Sequence, residues 1–375
     1  MHITYIMGII ISIVVTVGIA MTVLVTAEFG VGNSEQVPIN TPLLRLKHKP
    51  STLEGGGDGS CNWVFKKYIP SPWEAYWVKN VGKLQDNVCE EANKDRDRID
   101  EWVNGGLRNK ESNPLTLPTS TFSKFHFVND CTGEELTDYI EPLAGLTRHP
   151  FFCLKVSEAN NMGWWDFFTK GDNDADQWVV NKDYMIPSWN VSHKLKQASA
   201  LHVSQALFFD LGASYYNSGS GGPSQSWFVE SYEMRGVVWK GVFAWEATPQ
   251  DSSATWDAIP ARLKPYYHWY NIPVSPVPGH ADNALEYIRT VARRNDYVLL
   301  KIDIDNNPVE TELVNQLLAS DELLGLVDEI YFEHHVNVAP MNKYWGMQGA
   351  KQYLSDTYTI FNAFRQRGVL AHSWV

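Results

Sequence analysis

A chain of 375 residues has room for two domains, and its 44% hydrophobic and 20% charged residues describe a folded protein, not a disordered one. With 31 basic against 43 acidic residues the formal charge is −12 and no basic stripe is visible, which excludes a nucleic-acid backbone as partner. Fifteen tryptophans in a chain that is 13% aromatic point to a large core, since buried aromatics dominate core energetics.

The first element is an uncharged run from Ile3 to Thr26, rich in Ile, Val, Met and Leu. At ~1.5 Å per residue it spans a ~30 Å hydrocarbon core, and it lacks the basic start of a secretory signal. Residues 1–27 therefore read as a transmembrane signal anchor, with Val25-Thr26-Ala27 as the processing site if the segment were cleaved. Arg45, Lys47 and Lys49 favour a cytoplasmic side for the chain that follows. Residues 28–60 contain Pro38, Pro42, Pro50 and the run Gly55–Ser60, the composition of a flexible stem.

Residues 61–195 form a region rich in tryptophan that also holds all four cysteines, Cys61, Cys89, Cys131 and Cys153. No CxxC pair occurs among them, so two disulfides in an oxidising lumen, with three possible connectivities, outweigh a metal site. Asn190-Val191-Ser192 is a glycosylation sequon. The cysteines and the sequon place the bulk of the chain in the lumen of the secretory pathway (Golgi or ER), against the weaker charge cue. Asp95–Val103 is patterned as a helix, and Asp166–Asp176, with four aspartates, as a loop.

From residue 196 the pattern changes. A helix over His193–Ala206 leads into a strand near 207–211, and further strands follow near 241–246, 298–303 and 328–334, with another over Gly368–Val375. Helices over Ser224–Arg235, Asp282–Arg294 and Val309–Leu318 lie between them. Apolar strands alternating with helices predict an α/β fold with a mostly parallel sheet covered on both faces. Ligands on such sheets bind at the carboxyl ends of the strands, where this chain places its carboxylates.

Four segments in this order resemble the methyltransferase domain of the FkbM type, among the S-adenosylmethionine-dependent Rossmann-like enzymes. They are Asp210–Ala213, Ala244–Pro249 (AWEATP), Lys301–Glu310 (KIDIDNNPVE) and Glu333–His335, and the resemblance covers roughly residues 200–375 of a domain running from 196 to 375. It departs from the family where Asp305 replaces a Glu and where Asn306, Asn307 and Pro308 replace a Gly and a shorter spacer. The resemblance implies that Asp210, Gly212 and Ser214 of the first strand end and its loop face the methionine part of S-adenosylmethionine.

The residues themselves carry a parallel argument. Glycine at 212 would let the backbone approach a cofactor closely, and Glu246 would offer an acceptor to two vicinal ribose hydroxyls. Gly219-Ser220-Gly221 lacks the third glycine of a dinucleotide fingerprint, because Ser224 stands there. Asp303 and Asp305 would share one face if the strand persisted, and could then hold Mg²⁺ or Mn²⁺. Glu310 falls where a capping box would place its acid if Asn307 were the cap. Asp303, His334 and His335 are the catalytic candidates, a histidine serving as general base. These readings predict a membrane-anchored O-methyltransferase acting on a glycan or another hydroxyl acceptor. Two rivals are a glycosyltransferase using Asp303-Ile304-Asp305 with a metal and a UDP-sugar, and a methyltransferase-like module without catalysis.

Overall fold

A computed structural model describes residues 63–108, 117–145, 182–186, 205–217, 224–339, 341–346 and 349–374, all within one compact unit, Gly59–Val375. The readings on Ile3–Thr26, on residues 28–60, on Cys61 and Cys153, on Asp166–Asp176, on Asn190 and on the helix over 193–204 lie outside the described residues. Among the described residues no helix is long and apolar enough to cross a membrane.

The amino-terminal part begins with β1 (Trp63–Ile69) and three helices, α1 (Pro72–Leu84), α2 (Val88–Lys94) and α3 (Arg96–Arg108). Helix α1 starts where Ser71 accepts a hydrogen bond from the Glu74 amide and Pro72 fills a first-turn position that needs no donor. Strands β2 (Ser123–Asn129) and β3 (Glu135–Ile140) then complete a three-stranded antiparallel sheet in the order β1-β2-β3, which the sequence reading did not anticipate. Trp73, Trp77 and Trp102 are buried in the same apolar cluster as the strands of the larger sheet, so the helices share its core. Cys89 and Cys131 are each disulfide-bonded, and the described residues include no free cysteine.

The rest alternates strand and helix: β4 (Ala206–Leu211), α4 (Ser224–Glu233), β5 (Trp239–Trp245), α5 (Ser252–Ala258), β6 (Tyr267–Tyr270) and α6 (Ala284–Val291). It continues with β7 (Tyr297–Ile302), α7 (Asn307–Ala319), α8 (Asp321–Leu324), β8 (Glu329–Phe332), α9 (Asn342–Trp345), α10 (Leu354–Arg365) and β9 (Leu370–Ser373). These six strands form one wholly parallel sheet in the order β6-β5-β4-β7-β8-β9. All positions of β4 and β7 are buried, as a sheet covered on both faces requires. Counted from β4, the order is 3-2-1-4-5-6, so the fold is α/β and Rossmann-like, with its topological switch point between β4 and β7.

A buried ionic network joins the two sheets. Arg365 at the end of α10 donates to Glu74 (3.1 Å) and to Glu141 (3.0 Å), and also to the carbonyl of Ala371. Glu74 accepts further bonds from Tyr68 (2.5 Å), Ser123 (2.7 Å) and the Leu143 amide (2.9 Å). His372 on β9 stands between Glu141 (2.9 Å) and Glu329 (2.8 Å), and Tyr232 and Tyr297 donate to Glu329. Burial opposes charge on His372, but Glu141 and Glu329 outweigh it and push the imidazole up to about 9.

Two outcomes are expected. Arg365→Met should leave Glu74 buried without its counter-charge, and Glu141 with His372 alone, and cost about 3–5 kcal/mol in urea unfolding. Because the folded value of His372 lies above the unfolded one of about 6.5, its contribution is complete below that pH and is lost as pH rises through about 9. Stability should therefore fall by about 2 kcal/mol between pH 7 and 9.5. His372→Gln should start less stable and show a flatter profile, and an unchanged slope in that variant would assign the pH dependence to other groups.

Candidate functional site

The carboxyl ends of β4, β5, β7 and β8 bring together the loop after Leu211, Glu246, Asp303–Asp305 and Glu333–His335. Asp210 and Lys301 are register partners on the neighbouring strands β4 and β7. Their side chains are buried, and the Lys301 ammonium lies 3.1 Å from Asp210 and 3.2 Å from Asp303. It also donates to the Gly212 carbonyl at 3.0 Å. Burial works against the ammonium's charge, but Asp210 and Asp303 outweigh it and hold Lys301 above its ordinary value. The other oxygen of Asp210 accepts from Gln225 (2.8 Å), which Tyr267 orients (2.6 Å). Asp210 is thus fully enclosed by protein partners, and what it positions is the loop that follows.

Gly212 has φ +87°, and a Cβ built there would fall 1.7 Å from the carbonyl oxygen of Asp303. The glycine is needed because the end of β7 crosses at contact distance, a reason different from the close cofactor approach expected of it. The amides of Gly212 and Ala213 both donate to the Trp245 carbonyl (3.0 and 2.9 Å), so the loop is tied to β5 as well. Ser214 follows with φ +49°, a conformation uncommon for a residue with a side chain. Its amide donates to Glu246 (3.0 Å), whose second oxygen accepts from the Thr248 amide (2.6 Å). Each oxygen of Glu246 receives one such bond and has a further lone-pair direction available. Ser214 and Glu246 are therefore in contact across the ends of β4 and β5.

On the β7 side the expected pairing of two aspartates does not form. Strand β7 ends at Ile302, and Asp305 turns into the left-handed region at φ +55°, so the two carboxylates do not share a strand face. Asp303 stays with Lys301 and accepts from the indole of Trp374 (2.9 Å). Burial would raise its carboxyl, yet Lys301 and the hydrogen bonds it receives bring it below the usual carboxylate value. Asp305 is largely exposed and approaches His335 instead, at 3.9 Å. Glu333 lies 3.2 Å from the same ring nitrogen.

The two histidines lie just past the end of β8 and take different partners. His334 contacts Thr357 (2.9 Å) and Gln352, and burial, the largest influence, pulls it down to about 4. Both ring nitrogens of His334 are engaged by protein side chains. Burial opposes charge on His335 also, but Glu333, Glu310 and Asp305 raise it to about 8. Glu310 accepts from the Ile304 amide (2.8 Å), while burial foremost, with Asp303 and Glu333, pushes its carboxyl up to about 8. The cap of α7 is Asn306, one residue earlier than expected, so Glu310 braces the Asp303–Asp305 turn and not the cap residue.

The sequence reading assigns no role to Lys301, Gln225, Trp345 or Trp374. Only Lys301 carries a signal, a lysine inside the apolar run Tyr297–Ile302 directly before two aspartates. Compared with known proteins, the chain matches no family model, no curated protein and no solved structure.

Gly212→Ala adds a methyl group against the Asp303 carbonyl in a left-handed conformation. It should cost about 2–5 kcal/mol in thermal or urea unfolding, combining backbone strain and overpacking. Wild-type stability in this variant would show that the end of β7 does not press on the loop.

Proposed function

We propose that the chain is an S-adenosylmethionine-dependent methyltransferase acting on a hydroxyl acceptor, a glycan being the acceptor class suited to a lumenal enzyme. The observation that carries this reading is Glu246, held at the end of the second sheet strand against the Ser214 amide of the first loop, beside a topological switch point. The residues fit the cofactor in part. The free lone pairs of Glu246 suit the vicinal ribose hydroxyls, and the Ser214 turn lies where the resemblance puts the methionine end. Asp210 and Gly212, enclosed by the protein, support that turn without facing it.

When bound, S-adenosylmethionine supplies an electrophilic methyl group. The chain's part is to orient the acceptor oxygen in line with that methyl and to draw off the hydroxyl proton. Asp303 and His334 hold the frame, and Asp305 with the His335–Glu333 pair beside it, at the exposed end of β7, supply the groups that act on the acceptor. The glycosyltransferase reading relies on Asp303 and Asp305 sharing one cation, and their divergence gives it no support.

Calorimetry on the full-length protein should register S-adenosylmethionine and neither NAD nor a UDP-sugar with Mn²⁺. Glu246→Ala should weaken that binding ten- to a hundredfold, by about 1.5–3 kcal/mol. Binding of the UDP-sugar alone would put the glycosyltransferase in its place, and cofactor binding with no transfer to any hydroxyl acceptor would favour the non-catalytic module.

The anchored, lumenal location is part of the same proposal, supported by the uncharged Ile3–Thr26 run and by the bonded state of Cys89 and Cys131. In sealed microsomes residues 28–375 should resist added protease, and glycosidase should shift the mobility through Asn190. Complete digestion from the cytosolic side would overturn it.

A further inference from the structure

The acceptor-side groups at the ends of β7 and β8 also form a compact cluster of potential ligands. One donor atom each from Asp305, Glu333 and His335 lies within 4.8 Å of the other two. The His335 side chain is 1% exposed, yet neither of its ring nitrogens has a hydrogen-bond partner. Its Nε2 points between the two acids, 3.2 Å from Glu333 and 3.9 Å from Asp305. The surroundings hold the ring in that orientation. Trp345 stacks on it with centroids 5.2 Å apart and donates to the other oxygen of Glu333 at 3.1 Å. Asn307 donates to the His335 carbonyl at 3.2 Å. Gly349 packs so closely behind it that a Cβ there would lie 2.7 Å from the His335 carbonyl carbon.

From this geometry we infer that Asp305, Glu333 and His335 form a binding site for a divalent first-row cation, Mn²⁺ fitting the donor set best. Two carboxylates suit a hard cation, and an imidazole suits an ion softer than Mg²⁺ or Ca²⁺; Mn²⁺ accepts both. A cation seated between Nε2 and the two acids would be ligated by all three groups and would balance the carboxylate charge. Two donors that ligate one cation at about 2.2 Å each lie about 3–4.4 Å apart, so the 3.2 and 3.9 Å separations from His335 suit a shared ion. Exposure of Asp305 on the outer side leaves positions for water or for an incoming oxygen ligand. The pair expected from the sequence, Asp303 with Asp305, is replaced by a set drawing only Asp305 from it. The inference concerns groups that the methyl-transfer reading also uses, and it is tested separately, because ion binding is measured without any cofactor.

The test uses full-length protein stripped with chelator and titrated with Mn²⁺, followed by calorimetry and by electron paramagnetic resonance with detection of ¹⁴N coupling. One ion per chain should bind, and a directly ligated imidazole should produce the nitrogen coupling. Asp305→Asn, at an exposed position, should weaken binding about tenfold or more with the unfolding transition unchanged. His335→Gln should abolish the nitrogen coupling. Absence of Mn²⁺ binding up to millimolar concentration would leave an ordinary buried His335–Glu333 pair and overturn the inference. So would binding that is indifferent to Asp305→Asn and free of nitrogen coupling.

Discussion

Lys301 places a full positive charge in the interior at the point where the strand order reverses. Removing an ammonium from water costs several kcal/mol, and so does removing each carboxylate that neutralises it, so the pairings must form together or not at all. Asp210 and Asp303 lie on the two strands that flank the switch point, and the lysine's remaining donor goes to the loop carbonyl of Gly212. One buried charge thus fixes the relative height of β4 and β7 and the path of the loop between them. The close crossing at Gly212, the turn at Ser214 and the reach of Glu246 all follow from that alignment.

The second buried network works at a larger scale. Arg365 and His372 carry the charges that let Glu74, Glu141 and Glu329 remain in the interior, and these residues come from α1, from the segment after β3, and from β8. The small antiparallel sheet is therefore fastened to β9 by charge as well as by the apolar contact of Leu370 with Tyr68, Phe125, Phe127 and Ile140. An exposed edge strand invites pairing with another chain, and here the small sheet packs along it. Gly368 is part of the fit, since a Cβ there would lie 2.9 Å from the Phe65 ring.

Much of the large sheet is legible because its strands are long apolar runs buried on both faces. Strand β6 escapes notice since it is a four-residue strand at the edge of the sheet following Lys264-Pro265, too short for periodicity to mark. Strand β1 escapes because Lys66 and Lys67 interrupt its alternation at a bulge between Phe65 and Lys67. At the site, strand-end carboxylates are recognisable by position, but their direction is not. Asp303 and Asp305 diverge because an aspartate takes a left-handed conformation, which the sequence permits at Asp and does not announce. The partners of Arg365 are invisible for another reason. Side-chain pairings between residues hundreds of positions apart leave no local pattern.

That separation has its own consequence for how the chain assembles. Glu74 leaves the ribosome 291 residues before Arg365 and Glu141 leaves 231 residues before His372. Closing contacts over such spans carries a large loop entropy, and topologies dominated by them fold slowly. Until α10 and β9 arrive, the nascent amino-terminal half holds two carboxylates destined for burial and a set of aromatic side chains with nothing to cover them. Intermediates of that kind are the ones that aggregate or engage chaperones. In this molecule the charges that complete those pairings, Arg365 and His372, are among the last residues to be made.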